Sequence, residues 1–244
     1  MIHNLYKQRG ETPLECIQRF AKKNLELKGE KMTYLGRLDP LAEGVLLMAS
    51  GEDVKKKEEF LGLDKEYDFV SVFGFATDTY DVLGKIMRVE ILQQAQDKNA
   101  VSIFENEIRR VAMIYEGEKE QKYPLYSSKI IARSRQTVSA PKMLRISRSN
   151  NLSAADEVKK IIIHKIQFHG LDSLNSKELF GRLLMDISKV TGDFRQHEIL
   201  TLWKEILLNG KSRNYFIGKF SAHVSSGTYI RGLVNDIGNT LGCG

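Results

Sequence analysis

The chain has 244 residues, 42% of them hydrophobic, with 37 Lys and Arg against 31 Asp and Glu for a formal net charge of +6. This is the balance of a soluble folded protein of one large domain or two small ones, and it excludes overall disorder. The two cysteines, Cys16 and Cys243, lie far from each other and from any His at ligand spacing, which excludes a disulfide scaffold and argues against a structural zinc.

In chain order, Thr12-Pro13-Leu14-Glu15 predicts a helix start. Thr12 is the N-cap, Pro13 takes N1 and Glu15 closes a capping box. Leu14, Ile17, Phe20, Ala21 and Leu25 form its apolar stripe. Alternation at Tyr67, Phe69, Ser71, Phe73 and Phe75 predicts a strand over 67–75. A helix follows from Ser102 to about Tyr115, with Ile103, Phe104, Ile108 and Val111 inward. Ile161 to Phe168 reads as a strand. Lys177 to Val190 reads as an amphipathic helix carrying Leu179, Phe180, Leu183, Leu184, Ile187 and Val190. A second helix runs from about Gln196 to Leu208 and is ended by Asn209-Gly210. Phe216 to Val224 alternates as a strand, Ser225-Ser226-Gly227 turns the chain, and a last helix carries Ile230, Leu233, Val234, Ile237 and Leu241. Strands and helices mix without βαβ alternation, so the fold class is α+β with a largely antiparallel sheet.

The longest apolar runs, such as Val45 to Ala49, fall far short of the roughly 18 residues of a membrane span. With no secretory pattern and two thiols, the expected location is cytoplasmic. The sequence contains no G-x-x-x-x-G-K-[ST] phosphate loop, no G-x-G-x-x-G and no H-x-x-x-H pair. From Gln121 to Leu152 there are seven basic residues and no acidic one, with Tyr123 and Tyr126 interleaved. Such a stretch suits a polyanion with stackable bases, or is a solvated basic loop. Lys129, Arg133 and Arg135 lie at its centre.

Two strings carry candidate chemistry. In Gly36-Arg37-Leu38-Asp39-Pro40-Leu41-Ala42-Glu43-Gly44, Asp39 is either the N-cap of a short helix begun by Pro40 or a carboxylate held on a glycine-bracketed loop for covalent catalysis. In Ser226-Gly227-Thr228-Tyr229-Ile230-Arg231, Arg231 sits in the first turn of the last helix, where the helix dipole disfavours a cation. It is either a solvated surface residue or the partner of a carboxylate.

Together these strings resemble the bacterial tRNA pseudouridine-55 synthase (TruB) family. Gly36-x-Leu38-Asp39-Pro40-x-Ala42-x-Gly44-x-Leu46 resembles its catalytic motif. In the same order follow likenesses at Lys7-x-x-Gly10-x-Thr12, Gly51-Glu52, Lys65-x-Tyr67, Gly74-x-x-Thr77-Asp78-Thr79, Gln121-x-x-Pro124-x-Tyr126-Ser127, Ser226 to Arg231 and Leu241 to Gly244. The resemblance implies a pseudouridine synthase fold, with a central, largely antiparallel mixed sheet flanked by helices. It also implies one catalytic domain over residues 1–244, in which about 129–214 diverge through a shortened RNA-gripping segment and a helical insertion. Where the family continues into further segments and commonly a PUA domain, this sequence stops at Gly244.

By the same resemblance, the activity is isomerisation of a tRNA uridine, in the T stem-loop, to pseudouridine by a monomer that needs no cofactor or metal. Asp39 is the nucleophile, Arg231 the cation that keeps it ionised, and Tyr67 the ring that stacks on the uracil. Lys7, Tyr34 and Tyr229 are assigned to substrate binding or its support, with Lys129, Arg133 and Arg135 on the RNA phosphates. Lys7 also reads as a support beneath the loop or a solvated lysine, and Tyr229 as purely structural. Tyr34 stands where the family has a His. Two other readings stay open. One is a ribosomal-RNA pseudouridine synthase, whose Gly-Arg-Leu-Asp string is similar. The other is an RNA-binding or tRNA-folding protein of the same fold that has lost turnover.

Overall fold

A computed structural model describes residues 1–90, 98–124, 126 and 158–243. The predicted capping box is present. Thr12 Oγ1 accepts from the Glu15 N–H at 3.2 Å, and the Glu15 carboxylate accepts from the Thr12 N–H at 2.7 Å. It opens α1 (Pro13–Lys23), which ends at Asn24. Leu25 therefore lies beyond the helix in a 3-10 turn, 77% exposed, and Leu27 takes the buried place instead. Leu14, at the helix start, is also exposed.

The chain divides into two units. The first holds residues 1–64 and 181–196. Its sheet is antiparallel, in the order β1 (Ile2–Lys7), β3 (Gly44–Ser50), β2 (Met32–Tyr34), and a short helix α2 (Lys57–Leu61) comes after β3 in the chain. Leu5, Cys16, Ile17, Leu27, Leu46 and Met48 form its core between sheet and α1.

The second unit holds residues 65–180 and 197–244. Its four strands run in the order β4 (Lys65–Val72), β9 (Asn214–Val224), β8 (Val158–Asn175), β7 (Gly117–Lys122), all antiparallel. A ribbon of β5 (Phe75–Thr77) and β6 (Ile86–Val89) accompanies them. The strand expected over 67–75 is broken after Val72. At Gly74 the backbone takes φ +97°, and a Cβ there would lie 2.6 Å from the Glu90 carbonyl oxygen. Helices α3 (Lys98–Ile114) and α6 (Ile230–Thr240) cover one face of the sheet through Ile108, Val111, Leu233 and Ile237. Ile103 is 69% exposed, because Phe104, Ile108 and Val111 define the buried stripe and Ile103 is a residue out of phase with it.

Between β8 and β9 runs the helical excursion expected from the sequence, α4 (Ser176–Ser188) and α5 (Gln196–Leu208). Leu179, Leu183 and Ile187 of α4 are buried as predicted, while Leu184 is exposed. Among the described residues no helix is long and apolar enough to cross a membrane.

Replacing Thr12 by Ala removes the acceptor for the Glu15 N–H. The expected loss is about 1 kcal/mol of stability, read as a lower urea midpoint at unchanged slope. An unshifted midpoint would mean that the capping bonds add nothing to helix α1.

Candidate active site

The Asp39 string joins β2 to β3, and no helix forms there. Pro40 takes the second position of a β-turn closed by the Ala42 N–H, which donates to the Asp39 carbonyl at 3.0 Å. Proline presets φ at that position, and Asp is favoured just before it. The turn presents Asp39 to solvent and buries Pro40.

What holds the turn from below is Lys7. It ends β1, opposite Gly44, and is fully buried. Its ammonium donates to the carbonyls of Ala42 at 2.6 Å, Pro40 at 3.2 Å and Gln8 at 3.2 Å, one acceptor for each of its three protons. Burial lowers the Lys7 pKa, and the charges of Glu11, Asp39 and Glu43 act against that shift. The Gly10 N–H adds a bond to the Pro40 carbonyl at 2.8 Å. Lys7 has no exposed surface to offer RNA; it is a support of the loop. Tyr34, half-buried, packs against the core of the first unit, and the cations of Arg37 and Lys57 stand 6.0 and 5.9 Å from its ring centre.

In the second unit, Tyr67 lies on β4 opposite Ala222, half-buried against the core. Arg231 is in the first turn of α6. Its guanidinium donates to the Thr79 carbonyl at 2.7 Å and the Tyr126 carbonyl at 2.9 Å, and lies 5.6 Å from the Tyr229 ring centre. These two carbonyls and the ring face are favourable contacts at a position the helix dipole disfavours. Tyr229 is the N-cap of α6 but makes no side-chain cap. Instead the buried Gln121 side chain clamps its backbone. Gln121 Oε1 accepts from the Tyr229 N–H at 2.8 Å, and Nε2 donates to the Tyr229 carbonyl at 3.0 Å. A Cβ on residue 232 would lie 3.0 Å from that amide nitrogen, a tight contact that Gly232 avoids. The Tyr229 ring meets Tyr123 edge-on at 6.0 Å.

The clamp by Gln121 is a role that sequence reading missed. Its only signal was the placing of Gln121 in the Gln-x-x-Pro element. Lys129, Arg133 and Arg135 lie outside the described residues. Asp39, Lys7 and Tyr34 belong to the first unit, and Tyr67, Tyr229 and Arg231 to the second. Among the described residues, His164 and His223, two side chains able to bind a metal, lie side by side across β8 and β9 with ring centres 4.5 Å apart.

Comparison with known proteins places most of the chain in one family. Residues 22–178 match the family model described as TruB family pseudouridylate synthase (N terminal domain). That span contains Tyr34, Asp39 and Tyr67. The chain is 29% identical over 243 residues to a tRNA pseudouridine synthase B of Clostridium acetobutylicum, covering 100% of this chain and 63% of the relative. It is 28% identical over 238 residues to that of Aquifex aeolicus, covering 98% and 62%. To that of Shewanella baltica it is 26% identical over 233 residues, covering 95% and 52%. The chain thus spans between half and two thirds of the length of these relatives.

Lys7→Met keeps most of the side-chain volume but leaves the carbonyls of Pro40, Ala42 and Gln8 without this donor. The expected loss is about 2–4 kcal/mol, read from urea unfolding. An unchanged midpoint would show that the ammonium does not hold the turn.

Proposed function

The chain belongs to the TruB family of pseudouridylate synthases, and on that premise we propose that it isomerises a uridine in the T stem-loop of tRNA to pseudouridine, acting in the cytoplasm as a monomer. The observation that carries this reading is the Asp39 turn. A carboxylate is presented to solvent on a backbone fixed from beneath by a buried ammonium.

The reaction breaks the N1–C1′ bond of uridine, turns the base, and joins C5 to C1′. The proton on C5 is lost and N1 takes one up. Nothing is oxidised and no group leaves, so the atoms balance without a co-reactant. In this reading the Asp39 carboxylate forms a transient bond to the sugar or the base, and that bond breaks again when the product forms. Tyr67 offers a ring for stacking on the uracil and a phenol for proton transfer. Arg231, oriented by the Thr79 and Tyr126 carbonyls, supplies a fixed positive charge. The target base must first leave its stack, at a cost of a few kcal/mol. Phosphate contacts from Lys129, Arg133 and Arg135 would offset part of that cost and position the RNA without reading its sequence.

Asp39→Asn tests the assignment directly. Asn is favoured like Asp at the first position of a β-turn, so a structural Asp39 would tolerate it. As a nucleophile the amide is inert. Expected are an unchanged thermal midpoint, retained stem-loop affinity, and pseudouridine below detection when an unmodified tRNA transcript is mapped. Near-normal turnover in the folded variant would overturn the mechanism. A wild type that binds the stem-loop and turns over no uridine would favour the binding-protein reading.

Neutralising Lys129, Arg133 and Arg135 together should weaken stem-loop binding. It should flatten the dependence of log Kd on log salt by roughly 0.7 to 0.9 for each phosphate that no longer meets a cation. Unchanged affinity and slope would identify the segment as a solvated loop.

A further inference from the structure

The stretch of the helical excursion that belongs to the first unit, residues 181–196, meets the N-terminal segment in three ways. Arg9 Nη1 donates to the Asp186 carboxylate of α4 at 3.0 Å, while Arg9 Nη2 donates to Glu43, beside the Asp39 turn, at 3.0 Å. The Thr191 N–H donates to the Gly10 carbonyl at 3.2 Å, and Gly10 in turn donates its N–H to the Pro40 carbonyl. The Thr191 hydroxyl donates to the Glu15 carboxylate at 2.6 Å, the same group that closes the capping box of α1.

The fit between these segments is close. Gly10 has φ +96°, and a Cβ there would stand 2.2 Å from the Lys189 carbonyl oxygen. Arg9 Nε is buried and has no partner among the described residues. The guanidinium is held at both ends, by Asp186 and by Glu43. Two routes therefore run from residues 181–196 to the catalytic turn: side chains through Arg9 to Glu43, and backbone through Gly10 to Pro40.

We infer that the Asp186–Arg9–Glu43 bridge positions the turn that presents Asp39, so that Arg9 and Asp186 are positioning residues for the isomerisation. The inference rests on the function proposed above. Arg9, Glu43 and Asp186 keep 37%, 42% and 32% of their side-chain surface exposed, and ion pairs of that exposure add little to stability. Their effect is on where the carboxylate stands. A shift of about 1 Å at a reacting group can cost about a hundredfold in rate.

The test compares Asp186→Ala, which removes the bridge, with Asp186→Asn, which keeps a neutral acceptor for Arg9. Four quantities are read on each: single-turnover rate at saturating stem-loop, stem-loop Kd, thermal midpoint, and amide hydrogen exchange of residues 39–44. For Asp186→Ala the expected result is a rate lowered by about ten- to a hundredfold, with Kd within twofold and a thermal midpoint lower by only a few degrees. Exchange at Ala42 should be faster. Asp186→Asn should fall between this variant and the wild type in both rate and exchange. A rate and exchange pattern equal to wild type in Asp186→Ala would overturn the inference. If the wild type itself shows no turnover, the proposed function fails, and exchange alone decides. Faster exchange in Asp186→Ala then upholds the brace, and unchanged exchange overturns it.

Discussion

A single buried ammonium organises the region around Asp39. Lys7 reaches the underside of the turn at the end of β1 and gives each of its three protons to a main-chain carbonyl. Removing a charge from water is costly unless it is well coordinated, and here the acceptors belong to the segment that needs fixing. The same bonds that stabilise the buried charge therefore shape the turn. Pro40 is drawn inward, and the residue before it is left facing out. The surrounding acids Glu11, Asp39 and Glu43 favour the charged form of Lys7, which burial alone would disfavour.

The second unit repeats this use of main-chain carbonyls around Arg231. Thr79 and Tyr126 each give an acceptor to the guanidinium. A carbonyl orients a cation without changing its charge, so direction and charge are set by different groups. Gln121 extends the scheme to the backbone of Tyr229, two residues before Arg231. Both bonds go to the N-cap residue itself, so they fix the backbone from which helix α6 departs. A side chain on one strand thus sets where the first turn of α6 starts.

Much of this was legible in the sequence because it is local. The capping box of Thr12 and Glu15, the bounds of α5, and the alternation of β9 each depend on neighbours within a few residues. So does the Asp39 string, although its local pattern fits a helix N-cap and a β-turn equally well; the turn wins because Lys7 and Gly10, some thirty residues earlier, bind its carbonyls. Leu14, Ile103 and Leu184, at the edges of their stripes, face solvent against expectation, because a periodic pattern fixes the phase of a helix only to within about one residue. The partnership of Arg9 with Asp186 spans most of the chain and left no local mark, since each residue alone reads as an ordinary surface charge. The clamp of Gln121 is equally non-local, reaching Tyr229 from 108 residues away.

The excursion that supplies Asp186 leaves and re-enters the sheet through one pair of opposed residues. Asn175 at the end of β8 faces Asn214 at the start of β9, and Ser176 and Arg213 close the mouth with bonds in both directions. Everything between them hangs from a hairpin that is already complete. A segment joined in this way can be gained, lost or lengthened over evolutionary time without moving the register of either strand. The closing entropy of such a loop grows only slowly with its length. The register of the two strands is thus set without the helices, and a change in the length of the segment need not alter the pairing that carries it.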